Sequence, residues 1–453
     1  MVAVLAIDSG SQSTKVSVVD EVGRVHATAR VPLRPYELGP GGRAVHPDDD
    51  LWDALTVATR EALASYDGAA GEVVAVGLCG IRFCRALLDA EGRLVEPVLS
   101  WMDTRVAQPV GEDPRVVTVT SAGGYLATRL TGVRRDSRAS HQGVLPPERL
   151  MPELVEPGGL LGRVTPGAAE ATGVPAGLPV HATANDKAVE ALGGGLVGPG
   201  TVLLSLGTYV TAMTVADHAP EPADGRYWLN DAAVPGRRLV ESDGIRRGMW
   251  TVSWLRRLVS AAAPDPVDPD AVESWLEDGA RDVPPGAGGL LTVPDWLAPG
   301  HAPHRRGMVV GLDGSHGPHH LHRSILEGIA LTMRRHVEGM EAALALPPAR
   351  LVVSGGGARS DLMTQVVADV FGRPAGRPAV VDAAAVGAAI CAAVGQGVHP
   401  SFEAAVAAMV HPGDPCRPDP VAHATYDALV TVHAELGEAV DPVLRRLAGG
   451  RDG

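Results

Sequence analysis

Residues 2–8 read VAVLAID, an apolar run closed by a carboxylate. The hydroxyl-rich turn SGSQSTK follows, and VSVVD and VHATARV then resume the apolar pattern. Short apolar runs bounded by Gly, Ser and acidic turns predict strand, turn, strand, turn, strand, a β-meander. After HPDDD, the segment LWDALTVATREALASY carries its apolar residues at helical spacing, with acids at its start, where the positive end of a helix favours them. VVAVGLCG and RALLDAEGRLVEPVL add further strands, the last two joined by the turn AEGR.

The same grammar returns downstream. TVLLSLGTYVTAMTVAD reads as strand, Gly-Thr turn, strand; RSILEGIALTMRRHVEGMEAAL as a long helix; ARLVVSGGG as a strand running into glycines; and SDLMTQVVADVFG as a helix. Two α/β units, each opening on a hairpin whose turn holds Gly and a hydroxyl, imply related domains facing a shared cleft. The boundary is expected in EALGGGLVGPG, giving residues 1–195 and 196–440. AAPDPVDPD (262–270) and PPGAGG (284–289) read as surface connections.

At 453 residues the chain exceeds the usual size of one core, about 100–200 residues. A net charge of −14, with 39 basic against 53 acidic side chains and no basic run, argues against nucleic-acid binding. An acidic protein that handles a polyphosphate must therefore build a local positive field from amides, a metal ion and a few cations. Cys79, Cys84, Cys391 and Cys416 show no metal-ligand spacing and fit a reducing compartment. No leader pattern opens the chain and no stretch reaches the roughly 18 apolar residues of a membrane span, so a cytoplasmic protein with no membrane partner is expected.

Against that requirement, Asp8 stands at the end of a strand, ahead of Gly10, Ser11, Gln12, Ser13, Thr14 and Lys15. Such a carboxylate can hold a hydrated Mg²⁺ while the turn offers amides, hydroxyls and an ammonium to phosphate. Gly207 and Thr208 supply a second turn of this kind. Gly355, Gly356 and Gly357, followed by Ser360, join a strand to a helix where backbone amides can approach a nucleotide. In NDKAVEALG, Asn185 and Asp186 precede a helical run, and either side chain could satisfy its free amides.

The order and spacing of these strings resemble the FGGY carbohydrate kinases of the actin-like ATPase superfamily. AIDSGSQSTKVSVVD is similar to that family's first phosphate motif, LLSLGTYVTAMT to its second, ATANDKAVEALGGG to its catalytic-aspartate segment, and VVSGGGARSDLMTQVVADVFGRP to its adenosine region. GLCGIRFCRALLDAEGRLVEPVLSWMDTR resembles its substrate block, which ends in Trp-x-Asp-x-Arg. The resemblance implies an α/β fold of two actin-like (ribonuclease H-like) domains flanking an ATP cleft. It implies ATP and Mg²⁺ as donor and cofactor, and a small sugar or polyol as acceptor. Asp186 then matches the general base, Asp8 the metal position, and Ser11, Ser13, Thr14, Lys15, Gly207, Thr208, Gly355, Gly356, Gly357 and Ser360 the nucleotide contacts. Arg82, Phe83, Trp101, Asp103 and Lys187 fall in or beside substrate segments.

Two departures shape the acceptor reading. Xylulose kinases usually carry Gln-Met-His-Gly where this chain has Ile81, Arg82, Phe83 and Cys84, and glycerol kinases carry Arg-Glu where it has Arg82 and Phe83. The path from Arg105 to Tyr125 is also much shorter than in typical members, so the pocket is expected to be more open, differently closed, or completed by a second copy in a homodimer. A xylulose-like ketose is the first expectation for the acceptor; a tetritol, a cyclitol or a linear signalling sugar is the alternative, and a non-catalytic sugar or nucleotide sensor lies further off.

Overall fold

The computed structural model describes residues 1–221, 225, 227–262, 268–345, 350–380 and 382–449. The opening meander forms as β1 (Ala3–Ser9), β2 (Ser13–Asp20) and β3 (Val25–Pro32), paired antiparallel in sequence. β4 (Val73–Gly80) lies parallel to β1, β6 (Pro179–Asn185) parallel to β4, and β5 (Leu160–Arg163) closes the edge, giving the order β5-β6-β4-β1-β2-β3. β1 is buried along nearly its whole length, as its continuous apolar run demands of a central strand.

A second sheet repeats the plan. β7 (Thr201–Leu206) and β8 (Val210–Ala216) form the hairpin, β9 (Tyr227–Asp231) and β10 (Arg238–Ser242) extend it, and β11 (Arg350–Ser354) and β12 (Ala375–Gly376) run parallel to β7. The order is β9-β10-β8-β7-β11-β12, so β7, β8 and β11 stand where β1, β2 and β4 stand in the first sheet.

Helix α1 (Asp50–Ala64) buries Leu51, Leu55, Ala58 and Ala62, one stripe at helical spacing. α2 (Ala122–Thr131) is capped by Ser121, whose side chain accepts from Gly124 N. α3 (Asp186–Gly193) follows β6 directly. α4 (Gly248–Ala262), α5 (Pro269–Arg281), α6 (Pro318–Leu344) and α7 (Asp361–Phe371) surround the second sheet, and α8 (Ala383–Gly395), α9 (Phe402–Met409) and α10 (Pro420–Gly449) complete the chain.

Besides one core per sheet, a third core straddles both, joining Val4, Ala6 and Cys79 to Leu203, Met213 and Val352 through α3 and α8. Two glycines allow those helices to touch. A Cβ on Gly193 would lie 1.8 Å from the Ala383 carbonyl oxygen, and one on Gly387 would lie 2.0 Å from that of Val189. Among the described residues no helix is long and apolar enough to cross a membrane.

Two expectations change, and a third falls largely outside the described residues. RALLDAEGRLVEPVL forms one strand, Ala86–Leu88, whose return leg makes only isolated bridges, Leu88 to Leu94 and Arg85 to Leu99, because Pro97 has no amide to extend the ladder. PPGAGG is partly interior: Gly286 N donates to the buried carboxylate of Glu327 at 3.1 Å, and Ala287 is fully buried. Most of AAPDPVDPD, residues 263–267, lies outside the described residues.

Candidate active site

A cleft of 1330 Å³ is lined by residues of both halves of the chain. The β1–β2 turn contributes Asp8, Gly10, Ser11, Gln12 and Lys15; the β7–β8 turn contributes Gly207 and Thr208; and the turn after β11 contributes Gly355, Gly356, Gly357 and Ser360. The two glycine turns meet edge to edge, since a Cβ on Gly355 (φ +80°) would come within 3.0 Å of Leu206 carbonyl atoms. Ser360 caps α7, accepting Met363 N at 2.9 Å. Ser13 and Thr14 stand behind this wall: Ser13 Oγ accepts Arg30 Nε at 2.9 Å and so holds that guanidinium at the cleft, while Thr14 is fully buried.

Asp8 and Lys15 are cross-strand partners in the hairpin register. Lys15 Nζ reaches 3.2 Å from Oδ2 of Asp382, the residue that caps α8. Burial, then Asp382, push the Asp8 carboxyl up to about 7; Lys15 opposes them, and Asp186 and Glu190 add to the rise. Carboxylates gathered around one ammonium suit a hard divalent cation. Among the described residues no group of three His, Cys, Asp or Glu side chains is placed to hold a metal ion together. Lys15, Arg30, Arg257 and Arg359 are among the cations that line the cleft. The Arg247 and Arg257 guanidinium groups lie over the Trp250 ring, 4.4 and 4.9 Å from its centroid.

Asp186 is the first residue of α3, but Asn185 does the capping, its Oδ1 accepting Lys187 N and Ala188 N at 3.1 Å. The Asp186 carboxylate, which also accepts Lys187 N at 3.0 Å, is left facing the cleft. Burial raises its pKa; Arg82 and Lys187 pull the other way. Lys187 does not stand free: Nζ donates to Glu190 Oε2 and Ser205 Oγ, both at 2.8 Å, and Glu190 Oε1 accepts Ser354 Oγ at 2.6 Å. This network ties α3 to β7 and β11.

Arg82, just past β4, donates through both Nη atoms to Glu241 of β10, at 2.5 and 3.0 Å, joining one sheet to the other. Glu241 is fully buried and also accepts Asn230 Nδ2 at 3.3 Å. Sequence reading reached neither Glu241 nor Asp382, because each acquires its meaning from a partner far away in the chain. Glu190 was within reach, three residues after Lys187 on one helical face.

Residues 3–113 match the N-terminal domain of the FGGY family of carbohydrate kinases, and residues 202–396 match its C-terminal domain. The chain belongs to the FGGY family of carbohydrate kinases. It is similar to an uncharacterised sugar kinase, YgcE, of Escherichia coli, with 38% identity over 98% of this chain and 95% of the relative. It is also similar to the xylulose kinase of Escherichia coli, with 26% identity over 82% of this chain and 85% of the relative. Among solved structures, the xylulose kinase of Rhodospirillum rubrum superposes with a TM-score of 0.83 at 27% identity, covering 98% of this chain and 100% of that one. Gluconate kinase of Lactobacillus acidophilus superposes at 0.84 with 16% identity, covering 98% and 99%, a likeness of fold. The fold is thus the two-domain actin-like ATPase fold, and the protein is a sugar phosphotransferase of a family that uses ATP as donor.

In this FGGY kinase Phe83 and Trp101, from the substrate segments, line a second pocket of 310 Å³. Phe83 holds a left-handed backbone (φ +61°), strained for an aromatic residue, and with half-exposed Trp101 it walls the pocket. The Arg82 guanidinium lies 5.5 Å from the Phe83 ring centroid. Asp103 is buried behind, where it accepts Ala44 N, Arg105 N, Arg105 Nε and Arg105 Nη2. Burial pushes its carboxyl up, but the Arg105 and backbone bonds hold it down at about 2.

The loop after Arg105 is held by a side chain of the same chain. Buried Arg85 donates to the carbonyls of Arg105, Val106, Gln108 and Val144, tying the two loops that roof this pocket. Buried Asp136 accepts Thr120 Oγ1, Ser121 N and His141 Nε2, three groups of lining residues. Both amide atoms of Gln142, another lining residue, are buried and have no hydrogen-bond partner among the described residues, an arrangement that costs about 1–3 kcal/mol unless water or a ligand satisfies it.

Proposed function

We propose that this FGGY kinase, a cytoplasmic enzyme, transfers the γ-phosphoryl group of ATP to a hydroxyl of a small sugar or polyol, a xylulose-like ketose by first comparison, with Asp186 as general base. The observation that carries this reading is the division of labour at the start of α3: Asn185 satisfies the helix amides, so the Asp186 carboxylate faces the cleft between the two phosphate turns. The acceptor oxygen forms its bond to the γ-phosphorus while the bond to the β-phosphate oxygen breaks. Asp186 takes the hydroxyl proton and ADP leaves.

Ser11 and Lys15 on one turn, and Gly207, Thr208 and Gly355 to Gly357 on the other, hold the phosphates from opposite sides, with residues 1–195 and 196–440 as the two moving units. Mg²⁺, carried near Asp8, offsets phosphate charge when bound. Ser13 and Ser360 act indirectly, by placing Arg30 and by capping α7. Lys187 anchors the helix that presents Asp186, Arg82 reaches the acceptor, Phe83 and Trp101 supply its apolar wall, and Asp103 braces the Trp101 loop through Arg105. Closure over a bound acceptor excludes water, so ATP hydrolysis without acceptor is slow.

A coupled ADP-release assay tests this. At least one of D-xylulose, erythritol, glycerol and myo-inositol is expected to raise ADP release about 100-fold or more above the acceptor-free rate. Rapid hydrolysis unaffected by every acceptor would contradict it.

A further inference from the structure

The 310 Å³ pocket walled by Phe83 and Trp101 shares no lining residue with the 1330 Å³ cleft, but Phe83 directly follows Arg82, whose guanidinium is near enough to Asp186 to draw its pKa down, and Cys84 on the pocket wall feels the same carboxylate. One end of an acceptor at Asp186 would pass Arg82 and run into this pocket. The pocket has an aromatic wall for C–H faces, and Thr120, Ser121 and His141 beside Gln142 for hydroxyls. Thr120 and His141 are already engaged by Asp136, whereas Gln142 offers a buried donor and acceptor that no described residue uses. Native interiors rarely leave both polar atoms of an amide unpaired, and sites that bind polar ligands are where such groups are found.

The charges along the path are also assigned. Glu241 takes Arg82 with a two-point grip, four carbonyls take Arg85, Asp136 takes His141, and Glu190 takes Lys187. An anionic acceptor would have to displace one of these partners, and in the first case would face a fully buried carboxylate.

We propose that the end of the acceptor remote from the phosphorylated hydroxyl enters the Phe83–Trp101 pocket, that the Gln142 amide is its specificity-determining contact, and that the acceptor is an uncharged polyhydroxy compound and not a sugar acid. This rests on the kinase reading for the position of the reacting end. A carboxamide that both donates and accepts suits vicinal hydroxyls, which do the same. Arg85 keeps the pocket at one size, so extension of the acceptor is limited by the loop it ties.

The test is calorimetric titration of the nucleotide-free full-length wild type and Gln142→Leu with D-xylulose, erythritol, glycerol, myo-inositol and D-gluconate, with melting curves to show that both are folded. Leu keeps the side-chain bulk and removes both hydrogen-bonding atoms. At least one uncharged probe is expected to bind the wild type more tightly than D-gluconate does, and to lose about tenfold or more in affinity in Gln142→Leu. Equal affinity in the two proteins, preference for D-gluconate, or binding of none of the uncharged probes would overturn the proposal. Should Gln142→Leu fail to fold, Gln142→Glu is the second variant: it places a carboxylate among the acceptor hydroxyls, and unchanged affinity there would overturn the proposal equally. Binding is read without turnover, so a probe that binds through Gln142 but is never phosphorylated counts against the kinase reading alone.

Discussion

Arg82 and Glu241, 159 positions apart, form a two-point ion pair that joins the first sheet to the second beside the residue assigned as base. Burial works against the Arg82 charge, and Glu241 more than restores it, raising the guanidinium pKa.

Removing one partner leaves the other charged and buried. Glu241→Gln is therefore expected to lower the unfolding free energy by about 3–5 kcal/mol, measured by chemical denaturation. Replacing both, Arg82→Met with Glu241→Leu, is expected to recover most of that stability without recovering turnover. A single variant as stable as the wild type would show that the pair does not form.

Asp8 gives a pH signature in the nucleotide-free protein. Its folded pKa, about 7, lies above the ordinary 3.8, because burial and Asp382, Asp186 and Glu190 outweigh Lys15. The stabilisation from protonated Asp8 is thus fully present below about pH 4 and is lost as the pH rises through 7. Asp8→Asn is neutral throughout, so its stability relative to the wild type is expected to climb over that window, by up to about 4 kcal/mol at 1.4 kcal/mol per unit. Thermal melts of both proteins from acidic to neutral pH measure this. A gap independent of pH would contradict it.

The contact between α3 and α8 positions Asp186 from behind. Gly193→Ala would drive a Cβ to 1.8 Å from the Ala383 carbonyl oxygen, and Gly387→Ala to 2.0 Å from that of Val189. Each is expected to destabilise by about 1–3 kcal/mol and, by shifting α3, to lower kcat by a larger factor than ATP affinity. Wild-type melting temperature and kcat in both variants would show that the helices are not locked there.

The parts of the fold legible in the sequence are those with local signatures. The β1–β2 and β7–β8 hairpins announce themselves by apolar runs around Gly- and Ser-bearing turns, and α1 by its apolar stripe. Asp186 was legible from its own segment only as one of two candidate caps, and as a base only through the family resemblance; in the fold Asn185 takes both amides. Glu241, Asp382 and Gln142 carry no local pattern. Their roles come from Arg82, Lys15 and a pocket wall brought in by the topology, and a single sequence does not display such pairings. Pro97 stopped a strand that the apolar run around it suggested.

The most direct test is the turnover of Asp186→Asn against its nucleotide affinity. Asn preserves the shape and the hydrogen bond from Lys187 N but cannot take the acceptor proton. With the acceptor that the wild type uses best, kcat is expected to fall by about 100-fold to 10,000-fold, while ATP binding by calorimetry stays near wild type. Turnover retained at the wild-type rate would contradict the assignment of Asp186 as the base.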